Sequence, residues 1–385
     1  MESLEETIND MRQSSPIVRN LLTCVTVLGL LVVVYYLIKL LIKFINFLRI
    51  YVVYQINSRL CSRINLRRKY GKWAVVTGAT DGIGAEFARQ LAEQGMSLII
   101  IARNDEKLAR TKASLEKIAN VGEVVTIKKD FSDSSLESYE KLRKKLDLEN
   151  REIGVLVNNV GYYFLEWMRF CRAEKSELKA MVDVNILSMV MMTRAILPSM
   201  AERGNGLVVN VSSMFGAHAA PYIGVYSPTK AFVDSFSKQL QFEYRNHGPK
   251  IVNLTTGPVC VDKISKIERF TTDSSFVSAA DYVSSVLNIL TKSRHPSEFD
   301  GCLKHALMGS LMNMTTCLGL TGNFVERRFL PAGQLSPVPK RKNNKAEETP
   351  LTVVSGGEQS STIAQAAAAN QEGSQNARNH SILCL

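Results

Sequence analysis

Tyr226-Ser227-Pro228-Thr229-Lys230 sets a phenol and an ammonium four residues apart. On a helix that spacing puts both on one face. A free tyrosine titrates near pH ~10, too high to exchange protons readily at neutral pH. An adjacent ammonium favours the phenolate and is expected to lower that pKa. Pro228 is compatible with a helix opening at Tyr226, because a first turn has no intrahelical N–H to lose there. The pair alone is too common a spacing to define a site. A second candidate stands far upstream, in Thr77-Gly78-Ala79-Thr80-Asp81-Gly82-Ile83-Gly84. Its glycines permit a tight turn and let the backbone approach a pyrophosphate at the positive end of a helix. A structural turn without a ligand is the alternative reading of this segment. A third candidate is Ile101-Ala102-Arg103-Asn104, where no carboxylate occurs before Asp105. A carboxylate there would bind a ribose 2′-hydroxyl, whereas the planar donor fork of Arg103 suits a 2′-phosphate. The expected cofactor is therefore NADP(H).

These groups need a frame. From Trp73 onward, short β-rich runs alternate with helical stretches, the pattern of a parallel sheet covered on both faces. Strands are expected at 73–78, 97–102, 123–128, 153–158, 206–212 and 250–256, with a seventh near 301–306. Helices are expected at 83–94, 104–119, 134–147, 173–200, 222–246 and about 279–292. Six or seven such steps give an α/β doubly wound, Rossmann-like parallel sheet in a single domain spanning 73–330. The Gly-rich turn falls between the first strand and the first helix, the context that gives such a motif weight.

The spacing T-G-x-x-x-G-x-G resembles that of the short-chain dehydrogenase/reductase family. Asn158-Asn159-Val160-Gly161, at the end of the fourth strand, resembles the family's N-N-A-G element beside the adenine pocket. The resemblance implies that Asp130 contacts the adenine ring, and that Thr77, Gly78, Asp81, Gly82, Ile83, Gly84, Asn159 and Gly161 help hold the dinucleotide. It also implies roles at the reacting end. Ser213, thirteen residues before Tyr226, would hydrogen-bond the substrate oxygen, and Asn185 would anchor a proton relay through water. Tyr226 would exchange the proton, while Lys230 lowers its pKa and holds the ribose. His218 and His247 have no part in this scheme and read as surface or turn residues; Asp183 reads as a solvated or helix-packing one.

Within the family the chain is most similar to membrane-bound 17β-hydroxysteroid dehydrogenases and very-long-chain 3-oxoacyl-CoA reductases, over about residues 20–320. The implied activity is reduction of a ketone on a small lipophilic substrate, steroid or long-chain 3-oxoacyl-CoA. The resemblance leaves room for a homodimer. One departure stands out. The family usually reads Pro-Gly and then Val-x-Thr after the sixth strand, where backbone and hydroxyl hold the nicotinamide carboxamide. Here the order is Thr256-Gly257-Pro258-Val259-Cys260-Val261, with no threonine at that place. A catalytically impaired scaffold that keeps the dehydrogenase fold is the competing reading.

Outside the sheet domain, Leu21 to Ile38 is eighteen residues without a charge, enough to cross most of a hydrocarbon core of roughly 30 Å. A second apolar stretch, Leu40 to Tyr54, could continue that helix, fold back as a hairpin or lie in the interface. The net charge of +11 would suit a nucleic-acid surface were it spread over the chain. Nine basic residues fall between Lys39 and Lys72 with no acidic one, directly after the apolar run. That placement points to anionic lipid head groups and not to nucleic acid. The reading is an N-terminal segment at 1–20, a membrane anchor with an interfacial region at 21–56, and a basic linker at 57–72. The positive flank puts the large domain in the cytosol, at a membrane expected to be the endoplasmic reticulum. Residues 331–385 contain no Phe, Tyr or Trp and have the composition of a disordered tail. Seven scattered cysteines without metal-type spacing read as reduced thiols.

Overall fold

The computed structural model describes residues 16–53, 65–163, 168–246, 248–260, 276–292, 295–317 and 320. These fall into two compact units, one built on the N-terminal helix and one on the sheet. The helix, α1, runs from Pro16 to Leu48 and continues as a π-turn over Arg49–Val53. The apolar stretch after Ile38 therefore extends the first helix and does not fold back. At about 1.5 Å per residue its 33 residues outreach a bilayer core. Its apolar window is wholly unburied within the protein. Thr23 and Thr26 return their hydroxyls to the carbonyls of Arg19 and Leu22, at 2.9 and 2.8 Å, so neither leaves a polar atom facing outward.

The second unit opens with α2 (Leu66–Tyr70) and then winds β1 (Trp73–Thr77), α3 (Gly82–Glu93), β2 (Ser97–Ala102), α4 (Asp105–Leu115), β3 (Val124–Lys128), α5 (Leu136–Leu146) and β4 (Ile153–Asn158). A long helical stretch follows: α6 (Lys175–Val182), a π-turn (Asp183–Leu187) and α7 (Ser188–Glu202). Then come β5 (Leu207–Val211), the short α8 (Met214–Ala217), α9 (Tyr226–Glu243) and β6 (Lys250–Leu254). A two-residue pairing of β7 (Val259–Cys260) with β8 (Val277–Ser278), α10 (Ala279–Leu290), β9 (Glu298–Phe299) and α11 (Leu303–Cys317) complete the described elements.

The sheet order is β3-β2-β1-β4-β5-β6-β9, parallel throughout. Strands β1, β2, β4 and β5 are buried at every position, as helices on both faces require. Val75, Ile99, Ile101, Leu156, Val208 and Ile251 join one core with Met181, Met192 and Ile196 from the long helical stretch. Each such side chain contributes about 1.5–3 kcal/mol by burial, so the core fixes the strand ends before any polar group acts. The order reverses between β1 and β4, which opens a crevice at the carboxyl ends of the strands.

Three expectations are corrected. The seventh strand is Glu298–Phe299, and 301–306 instead turns at Gly301 (φ +77°) into α11. The helix expected at 173–200 carries a π-turn. His218 is buried, not superficial, with Nδ1 2.9 Å from Thr316 Oγ1. Asp183 is a helix-packing residue, paired with Lys179 at 2.5 Å. His247, residues 261–275 of the segment after β6, the tail and most of the basic linker lie outside the described residues. Lys175–Glu202 is also long and apolar enough to cross a membrane, but 56% of its apolar window is buried, and it serves as the core helix.

Candidate active site

The Gly-rich turn is locked by side chains from the neighbouring strand end. Thr77 Oγ1 donates to the Val157 carbonyl at 3.3 Å and accepts from the amides of Asn159 and Val160 at 3.0 and 3.1 Å. Asn159 Nδ2 donates back to the Thr77 carbonyl at 2.9 Å. Gly78 and Gly82 take φ of +65° and +50°, which a side chain would oppose. Gly84 is required by proximity: a Cβ there would stand 2.3 Å from both Asn159 Nδ2 and the Gly78 carbonyl oxygen. Asp81 opens α3 yet makes no capping hydrogen bond, so it does not consume the first-turn amides. Its Oδ1 is buried without a hydrogen-bond partner, while Oδ2 lies 3.7 Å from Lys107 Nζ. Ile83 is buried beneath this turn.

Two neighbouring strands supply the next groups. Arg103 stands half-buried just past β2, and Asn104 beside it caps α4 through the Lys107 amide at 2.8 Å. Burial raises the pKa of Tyr162, Glu177 adds to the rise, and the charge of Arg103 opposes it. Arg103 and Gly161-Tyr162 therefore face the same region. Asp130, past β3, is exposed and accepts from the amide and hydroxyl of Ser132 at 3.0 and 2.8 Å.

At the reacting end, Asn185 sits in the π-turn, a widened coil that often marks a working position in a helix. Its Oδ1 accepts from the Tyr162 amide at 2.6 Å. Its Nδ2 donates to the Tyr162 carbonyl at 2.9 Å and to Thr229 Oγ1 at 3.0 Å. One side chain thus ties the β4 exit to the first turn of α9. Ser213 caps α8 through the Phe215 amide at 3.3 Å. Met214 donates its amide to the Thr256 carbonyl at 3.0 Å, fixing this corner to the end of β6. The serine was legible in the sequence, but its anchoring through Thr256 was not.

Tyr226 and Lys230 do share one face of α9. The ammonium stands 5.7 Å from the centre of the Tyr226 ring and donates to the Val211 carbonyl at 2.9 Å. The Tyr226 hydroxyl is buried without a hydrogen-bond partner. Burial pushes its pKa up, Ser213 stands near enough to draw it down in part, and the Tyr163 phenol adds to the rise. Ser213 is close, but no bond of proper geometry joins the two. Desolvation therefore sets the direction of the shift at Tyr226 in the protein alone. Tyr163, 5.7 Å from Tyr226 between ring centres, was missed in the sequence, where nothing distinguishes it from a core tyrosine.

His305 was also missed. Its ring is fully buried, with Nδ1 3.1 Å from the Gly257 amide and Nε2 3.1 Å from the Pro258 carbonyl. Burial pushes its pKa down to about 4, against the opposing pull of the Pro258 and Asp300 carbonyls. Beside Ser213, Met214 and Met312 form a small buried apolar cluster flanked by Phe215, Ala220 and Met308. No cluster of His, Cys, Asp or Glu suited to a metal ion occurs among the described residues.

Comparison with known proteins identifies the family. A family model described as short chain dehydrogenase matches residues 72–270. The chain is similar to very-long-chain 3-oxoacyl-CoA reductase-A of Danio rerio, 39% identical over 260 residues, covering 67% of this chain and 78% of that protein. It is also similar to hydroxysteroid dehydrogenase-like protein 1 of Gallus gallus, 36% identical over 251 residues, covering 65% and 73%. Among solved structures, a serine dehydrogenase complexed with NADP+ matches with a TM-score of 0.52 at 27% identity, over 59% of this chain and 93% of that one.

Proposed function

The chain belongs to the short-chain dehydrogenase family, and we propose that it is an NADP(H)-dependent reductase of a ketone on a lipophilic molecule. The observation that carries this reading is the Tyr226 hydroxyl, buried and without a hydrogen-bond partner, with Ser213 beside it. A buried polar atom left without a partner is costly unless a ligand completes it. A carbonyl oxygen placed between Ser213 and Tyr226 satisfies both hydroxyls.

The residues fit a dinucleotide at three points. The turn at Gly78, Gly82 and Gly84 lets the α3 amides meet a pyrophosphate. Arg103 would meet a 2′-phosphate, with Asp130, Asn159 and Gly161 at the adenine side. Lys230 and Tyr226 would meet the ribose next to the nicotinamide. Bound NADPH supplies the hydride. Ser213 orients the substrate oxygen and stabilises charge building there, and Tyr226 delivers the proton to that oxygen. Asn185 keeps the β4 exit and the first turn of α9 in register, the place from which a water-borne proton would reach Lys230.

Support for a lipophilic ketone comes from two sides. Met214, Met308, Met312 and Phe215 put an adaptable apolar wall next to Ser213. The similar proteins named above are a 3-oxoacyl-CoA reductase and a hydroxysteroid dehydrogenase-like protein. The apolar α1 with its basic flank supports anchoring in a membrane, with the sheet domain on the cytosolic face of the endoplasmic reticulum. The second reading, a scaffold impaired in catalysis, is favoured by the Gly257-Pro258 order and the missing threonine after it.

The test uses the full chain in lipid nanodiscs, with NADPH and either a steroid ketone or a long-chain 3-oxoacyl-CoA. Turnover of one of them is expected, faster with NADPH than with NADH. Arg103→Ala should cut that preference about tenfold or more, since a charge-assisted hydrogen bond contributes roughly 1.5–3 kcal/mol. Binding of NADPH with turnover of neither substrate favours the scaffold. An unchanged preference in Arg103→Ala removes the 2′-phosphate role of that residue.

A further inference from the structure

The Gly257-Pro258 segment departs from the order its family usually shows, and the fold supplies a partner for it 48 positions away. The Gly257 amide can only donate and the Pro258 carbonyl can only accept. Nδ1 of His305, 3.1 Å from that amide, is therefore the bare nitrogen, and Nε2, 3.1 Å from that carbonyl, carries the proton. One neutral ring thus grips the Gly257-Pro258 dipeptide at both its ends, by the amide that enters it and the carbonyl that leaves it. The grip also explains the glycine. A Cβ at position 257 would lie 2.6 Å from His305 Cδ2 and 2.8 Å from Met214 Cε. The ring itself is held by Tyr282, 5.2 Å away between centres, whose hydroxyl is 2.9 Å from Thr256 Oγ1.

Three successive residues are thus pinned from different elements. Thr256 is held by Tyr282 on α10 and by the Met214 amide; Gly257 and Pro258 are held by His305 on α11. Met214 directly follows Ser213, so a shift of this segment passes to the serine through one hydrogen bond. In the usual family pattern a threonine hydroxyl shares the task of holding the carboxamide. Without it, the backbone of Thr256 to Pro258 would carry more of that task, and its rigidity would bear on where a nicotinamide ring rests.

We propose that His305 is a positioning residue, whose two-sided grip on Gly257 and Pro258 sets the spacing between that segment and Ser213 and so the seat of the nicotinamide ring. The proposal rests on the NADP(H) reading above. His305 touches no reacting atom; it acts through the segment it holds.

The test compares full-length wild type, His305→Leu and His305→Gln in nanodiscs. Leucine fills much of the space and removes both hydrogen bonds. Glutamine keeps an acceptor and a donor side by side. Three quantities are read: NADPH affinity from protein fluorescence, the emission maximum of bound NADPH, and kcat apart from KM. In His305→Leu, kcat is expected to fall about tenfold to hundredfold, the cost of a misplaced reacting centre. NADPH affinity should stay within about threefold, because the adenine and pyrophosphate contacts are untouched. The emission of bound NADPH should move towards that of the free cofactor, and His305→Gln should recover most of kcat and the wild-type emission. Unchanged emission in His305→Leu overturns the proposal, even if no substrate is turned over. So does a parallel loss of affinity, kcat and melting temperature in both variants, which marks a merely structural histidine. Wild type that fails to bind NADPH overturns the cofactor reading itself, and the proposal with it.

Discussion

At Tyr226 two effects oppose each other, and their balance sets when the residue can act. Burial favours the neutral phenol, while the Ser213 hydroxyl beside it draws the pKa down in part. A reductase needs this tyrosine protonated. Its pKa is raised above the ordinary value of ~10, so the loss of protonated donor moves to higher pH. kcat/KM for ketone reduction should therefore hold level through neutral pH and fall only above about pH 10, as measured in a pH–rate profile. A fall centred near pH 7 would mean that another group delivers the proton. The shared face of Tyr226 and Lys230 was readable in the sequence, because a four-residue spacing on one helix is local. His305 was not. Its meaning depends on Gly257 and Pro258 across the fold, and a lone histidine in an apolar run looks like any packed one. His218 misled for the same reason, since Thr316 lies 98 positions away.

The phosphate-binding turn belongs to the scale of elements, because it works only where β1, β4 and α3 meet. Gly84 has no room for a methyl group: backbone on one side and Asn159 on the other would each stand 2.3 Å from it. Gly84→Ala is expected to push α3 off the strand end, destabilising the fold by about 1–3 kcal/mol, as overpacking does. NADPH affinity should drop with it. Calorimetry with and without NADPH checks both, and unaltered affinity would place the pyrophosphate elsewhere. Strand positions were legible to within a residue or two because buried parallel strands read as unbroken Val/Ile runs. The π-turn that carries Asn185 was not, since one extra residue hardly disturbs an apolar helical pattern. The seventh strand was misplaced for a different reason. With only Glu298 and Phe299 it is too short to leave a run, and the residues beyond it turn at Gly301 into the start of α11.

Among the described residues, three histidines are held in a form that resists protonation. Burial holds His218, His295 and His305 below their ordinary value, His305 at about 4. An unfolded histidine takes a proton below about pH 6.5. Between that pH and about 4 the unfolded chain binds more protons than the folded one, so stability is full above pH 6.5 and drains as pH falls. His305 alone would account for roughly 3 kcal/mol of that loss. Unfolding followed by intrinsic fluorescence at pH 7 and pH 4.5 should show it, with a smaller drop in His305→Gln; equal drops would contradict the depressed pKa. The long apolar α1 was legible from composition, because an eighteen-residue uncharged run has few other uses. The tail and residues 261–275 lie outside the described residues. The most direct measurement is a single turnover of NADPH bound to the full chain, comparing wild type with Tyr226→Phe at matched cofactor affinity. In Tyr226→Phe the rate of cofactor oxidation should fall about 10²- to 10⁴-fold, with NADPH binding retained; equal rates in the two proteins would contradict Tyr226 as the proton donor.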